Sequence, residues 1–243
     1  MKRFVTALFW LALWEGVSLL FSQPLLLPSP VSVAARLCTL VQTAAFWESV
    51  ARSSWRVLHG FTLGAASGVL LAVPAHASPP VRALLYPAVA TVKAIPVASF
   101  VILSLVWLPS RALSTFIAFL MTLPPVYLGT LEGIGRADAQ LLELARVYGV
   151  PLRRQIPAVY LPAVLPSFRT AVALSLGLCW KAGIAAEVIG LPRGTLGERL
   201  YNAKVYFLTA DLFAWTAVVI LLSVCFERAA LGVLDGLARR VGA

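Results

Sequence analysis

Between Val57 and Val81 the chain reads VLHGFTLGAASGVLLAVPAHASPPV, twenty-five residues without one Asp, Glu, Lys or Arg. About 20 consecutive apolar residues are enough for a helix to cross the hydrocarbon of a bilayer. Pro74 and the run Ser78-Pro79-Pro80 punctuate its end, so the stretch reads as one span followed by a turn. Working outward, charge-poor runs recur from Phe4 to Phe21, Ala83 to Ser110, Ala112 to Leu131, Thr170 to Ala186 and Leu212 to Leu231.

The composition agrees. Hydrophobic residues make up 60% of the 243 and charged ones 12%, against about 25% charged in soluble domains. The expectation is one all-α polytopic domain over 1–243, with about six spans near 4–21, 57–78, 83–107, 112–131, 168–187 and 210–231. That leaves no room for a separate soluble catalytic domain. The first run holds Glu15 and meets Gln23-Pro24 instead of a small-x-small site, so it reads as an anchor and not as a cleaved signal. Cys38, Cys179 and Cys225 form no metal-ligand spacing, and pairing any two leaves one over.

The net charge of +10 suits a membrane protein whose basic loops face the cytoplasm better than a nucleic-acid binder. Six spans put both termini on one side. That side collects eleven Lys and Arg, including Lys2, Arg3, Arg82, Arg136, Arg146, Arg153, Arg154 and Arg240, against seven opposite. It is expected in the cytoplasm.

The longest polar interval on that side runs from Gly135 to Phe168. Leu141, Leu144, Ala145 and Tyr148 recur at i, i+3, i+4 and i+7, which predicts a short amphipathic helix over Ala137 to Tyr148. Gly149 and Pro151 stop it, since Gly takes the left-handed cap and Pro cannot continue a helix. Such a helix either docks into a partner's groove or merely links two spans.

Glu143, Ala145, Gly149, Leu161 and Pro162 stand at the spacing E-x-A-x(3)-G-x(11)-L-P, which resembles the EAA loop of ABC importer permeases. That family carries Glu-Ala-Ala, three residues, Gly, nine residues, Ile, one residue, Leu-Pro; here Leu144 replaces the first Ala and Val159 the Ile. Further segments are similar to the nitrate, taurine and alkanesulfonate group: Leu27-Pro28-Ser29-Pro30 before an interfacial helix, Ser54 to Phe61 opening the second span, Lys93-Ala94-Ile95-Pro96 as a kink, and Ala186-Glu187 before a turn with Gly190, Gly194 and Gly197.

The resemblance implies a type I ABC importer permease fold in a bacterial inner membrane, with a cytoplasmic coupling loop near 135–165. It implies a homodimer of this chain, two copies of an ABC ATPase, and an extracytoplasmic solute-binding protein. ATP and Mg would belong to the ATPase, because no GxxxxGK[ST] occurs here; the chain itself would hold no catalytic residue, cofactor or metal. Small oxyanions of the sulfonate, taurine or nitrate type are the implied solutes, with riboflavin or a vitamin precursor as the other possibility in the wider family.

Lys93 and Lys181 are basic residues inside expected spans, where a charge is favoured only against water, a partner or the bundle interior. With Pro96, which removes a helix hydrogen bond, and Glu187, an outer gate or a cap for the following turn, they form the candidate translocation path. A polytopic enzyme acting on lipids is the alternative class. Its only acidic group would be Glu132, Asp138 and Glu143, whose spacings scatter them around a helix and make a poor metal site.

Overall fold

Three glycines, each about one helical turn from the next, bring two long helices into backbone contact. In the computed structural model, which describes residues 2–21, 23 and 25–241, α3 (Ala44–Ala77) turns Gly60, Gly64 and Gly68 onto α6 (Ser110–Gly135). A Cβ on Gly64 would lie 2.7 Å from the carbonyl oxygen of Phe119, so no larger residue fits without parting the helices. On α6, Gly129 and Gly133 repeat the device against α9 (Leu161–Gly190), with Ala171 Cβ and Val164 Cα at 2.6 and 2.7 Å from the same imagined atoms. In lipid, where apolar side chains gain nothing by leaving water, this close backbone approach is what holds helices together.

Around this three-helix slab the described residues are helical throughout their regular structure. They form α1 (Lys2–Phe21), α2 (Pro30–Val41), α4 (Pro79–Ala94), α5 (Val97–Ser104), α7 (Ala139–Val147), α8 (Leu152–Gln155), α10 (Leu196–Val205) and α11 (Thr209–Val241). Ser29 caps α2 by accepting from Ser32 N, with Pro30 in its first turn, and Thr43 caps α3 by accepting from Phe46 N. Helix α11 is fastened by stacked rings, Trp215 on Phe46 and Phe226 on the fully buried Trp180. Ion pairs tie it to α2 through Arg36 and Asp211, and to the start of α9 through Arg169 and Asp235.

Among the described residues, four helices are long and apolar enough to cross a membrane, within Ala44–Ala77, Ser110–Gly135, Leu152–Gly190 and Thr209–Arg239. The span expected over 83–107 is not continuous: α4 and α5 meet at 102°. Pro96 offers no N–H and holds Ile95 extended (φ −71°, ψ 128°), so the helix ends at Ala94 and restarts at Val97. Counted as one span, this pair makes five. Helix α1, 20 residues from Lys2 to Phe21, runs through the stretch expected as the first span, 4–21. The side chains of Lys2, Arg3 and Arg240, used above for orientation, lie outside the described residues, as does Pro24.

The expected loop 135–165 also differs. Helix resumes at Leu152 and passes through a π-helical turn, Ile156–Tyr160, into α9. Leu161 N–H reaches back to the carbonyl of Ile156 there, a wider loop that gives the Pro162 ring room where a normal turn would clash. Leu161 and Pro162 therefore open a long helix; the irregular chain is confined to the residues before Leu152. Helix α3 likewise begins at Ala44, well ahead of the span expected at 57, because the charged turn with Glu48, Arg52 and Arg56 is helical too.

Candidate functional site

Helix α7 is built by local chemistry. Asp138 caps it, accepting from Gln140 N at 2.8 Å, and Gly149 at φ +64° ends it while Val150 N–H returns to the Ala145 carbonyl at 2.8 Å. Gln155 then donates to the Val150 carbonyl, pinning the reversal to α8. Only Ala145 is buried along α7. Leu141 and Leu144 are 46% and 53% exposed, and Val147 and Tyr148 are both 76% exposed. Glu143 projects from the same short helix and is exposed. The face that periodicity predicts is present, but its own chain does not cover it.

Between the α4–α5 elbow, α6 and α9 lies a cavity of about 790 Å³. Ile95 and Val97 stand at its elbow end. Its walls are apolar, with Leu120, Met121 and Leu128 from α6 and Leu174 and Leu178 from α9. The α7 end is marked by Glu132 and Arg136, paired at 2.6 Å. Pro124, Pro125 and Pro166 line it as well; prolines inside helices deprive the carbonyls four residues earlier of their donors, which for the first two are those of Leu120 and Met121 on the same wall. Lys93, in the last turn of α4, lines this wall too, and the ion pair stands at the α7 end.

The other candidate path residues separate. Pro96 is the elbow, flanked by two lining residues. Lys181 is exposed on α9, one turn past Leu178 on the same face, beyond the cavity. Glu187 is wholly buried. Its Oε2 accepts from Ser53 Oγ at 2.7 Å and Gly197 N at 3.2 Å, while Ser53 Oγ accepts from Leu196 N and Thr195 from Glu198 N. Three side chains thus take the first three N–H groups of α10, where a carboxylate also suits the positive end of the helix. Of its two expected roles, this geometry builds the cap.

Sequence reasoning passed over Met121 and the Pro124-Pro125 pair, and weighed Glu132 and Arg136 only as part of an acidic group and of the charge bias, not as cavity residues. The pair was visible as a proline doublet inside an apolar run, a pattern tolerated in a span only where neighbours or a cavity accept the freed carbonyls.

Residues 60–242 match the family described as binding-protein-dependent transport system inner membrane component. Among individual proteins, the chain is 32% identical over 76% of its length to a protein of Escherichia coli (strain K12) that carries the name aliphatic sulfonates transport permease protein SsuC, covering 70% of it. It is 26% identical to the taurine transport system permease protein TauC of the same strain, over 88% of this chain and 80% of that one. It is 28% identical to the bicarbonate transport system permease protein CmpB of Synechococcus elongatus, over 59% of this chain and 52% of that one.

Proposed function

The chain belongs to this family of inner membrane transport components, and we propose on that premise that it is the permease subunit of an ATP-driven importer of small oxyanions. Two copies of the chain would form the path, two ATPases would hold ATP and Mg, and a binding protein would deliver the solute on the opposite face. The uncovered apolar face of α7 carries the reading: Leu144, Val147 and Tyr148 have no use for exposure unless a partner covers them. Glu143 supplies a carboxylate beside that face, while Ala145 is buried against its own chain and seats the helix. The α7 end, and both termini with it, would lie in the cytoplasm.

The mechanism follows from how α7 is mounted. A partner that grips α7 acts on α9 through α8 and the π turn, and α9 forms one wall of the central cavity. Two ATPases closing together would draw the two α7 helices inward, tilting that wall against the elbow and shifting the opening from the α7 end to the other. Within the cavity, Lys93 would stabilise an anion among apolar walls that exclude water, and the first turn of α5, beginning at Val97, adds the positive end of a broken helix on the same side.

The test is purification of the tagged chain with its native partners, followed by mass spectrometry and an ATPase assay. An ATPase should accompany the unmodified chain and be lost or uncoupled from uptake in Glu143→Ala. If no ATPase accompanies the unmodified chain in several mild detergents, the reading fails. In vesicles, Lys93→Gln should reduce uptake of a sulfonate while ATPase binding persists; unchanged uptake would remove Lys93 from the path.

A further inference from the structure

A second set of cations collects beside the central cavity, where the α3–α4 corner meets the end of α6. His76, Arg82 and Arg136 surround a hollow of about 510 Å³ floored by Leu128 and Leu131. Glu132 also lines it and is paired with Arg136, while among the described residues neither His76 nor Arg82 pairs with an acid. The hollow shares Arg82, Leu128 and Leu131 with a groove of about 420 Å³ between α4 and α6. Along it Arg82, Tyr86, Val89 and Lys93 follow one face of α4, about 16 Å of helix, opposite Tyr127 and Leu131. A basic rim therefore continues into an apolar trough that runs along the helices.

We propose that this groove holds an anionic phospholipid, its phosphate against His76, Arg82 and Arg136 and an acyl chain between α4 and α6. Basic pockets between membrane helices at the interface recognise lipid phosphate, because the surrounding leaflet supplies both the charge and the chain. The sequence places the rim correctly: His76 and Arg82 flank the Ser78-Pro79-Pro80 corner, and Arg136 is the C-terminal cap of α6, three positions where helices leave the membrane. Lys93 at the far end lines both this groove and the central cavity. The lipid would brace α4, whose C-terminal end carries the elbow, against α6. The inference needs the proposed function only to call this leaflet cytoplasmic.

The experiment is native mass spectrometry of the purified complex, with thermal unfolding after exchange into vesicles. Retained phosphatidylglycerol should fall about fivefold in Arg82→Ala and roughly thirtyfold when Arg136→Ala is added, from the contribution of each interfacial cation. Arg82→Lys, which keeps the charge, should retain the lipid and shows that the loss is not misfolding. The unmodified protein should unfold at higher temperature in vesicles containing phosphatidylglycerol than in phosphatidylcholine alone. Equal lipid retention in all variants overturns the proposal. So does full stabilisation by inorganic phosphate in detergent, which would make the site one for a free anion, and so does efficient cross-linking between two copies through Tyr86→Cys, which would put a second chain in the groove. Loss of the ATPase from the same preparations would instead speak against the proposed function.

Discussion

The two ends of α9 are finished in opposite ways. At its C-terminal end Glu187, Ser53 and Thr195 close every N–H of the next helix's first turn inside the protein, and Gly194 and Gly197 let the chain fold back onto α9. Beyond its N-terminal end α7 satisfies its own backbone through Asp138 and Gly149 yet leaves its apolar face in the open. A turn whose backbone N–H groups are taken internally needs no outside partner for them, although Glu187 Oε1 itself has no hydrogen-bond partner among the described residues. A helix whose caps are complete but whose apolar side chains are bare is rigid and unfinished, which is the form a docking element requires.

The contrast breaks most readily at Glu187. Glu187→Ala leaves Ser53 and Gly197 N–H without an acceptor in a closed space, and the protein should lose about 2–4 kcal/mol of stability, read as a fall in unfolding temperature in detergent. Glu187→Gln keeps one acceptor and should lose less. A smaller loss, about 1–3 kcal/mol, is expected for Gly197→Ala, whose new Cβ would press on the backbone of α9, 2.6 Å from Val188 N. Gly149→Ala meets no neighbour within 4 Å, so its effect is only the left-handed backbone, about 1 kcal/mol and local to α7. Least affected in stability should be Leu144→Ser, within about 0.5 kcal/mol, although ATPase copurification should drop sharply. Equal destabilisation by Leu144→Ser and Glu187→Ala would erase the distinction between the two ends.

Much of this was legible in residues taken in order. Charge-free runs announce helices in lipid because an unpaired backbone group or bare charge there is too unfavourable. Helix α7 was legible because its caps are local, Asp138 and Gly149 lying within a dozen residues of each other. Pro96 announced a bend but not its size, since 102° depends on where α5 finds apolar partners on α6 and α9. The glycine series Gly60, Gly64 and Gly68 was in plain view as a helix contact face; what it touches lies more than fifty residues away, at Thr115 to Tyr127.

By itself, then, the sequence determined that this is a helical membrane protein with a short, locally capped amphipathic helix in its longest polar interval, because hydropathy, capping and spacing act over a few turns of chain. Tertiary structure alone decided what the charges do. Glu187 became a cap because Ser53 and Gly197 arrive from elements far away in the chain, and Lys93 became a cavity residue because the elbow sets α4 against α6 and α9. Lys181, of the same type in a similar run, stayed outside that cavity because a lysine's partners are fixed by which helices meet and not by its neighbours in sequence.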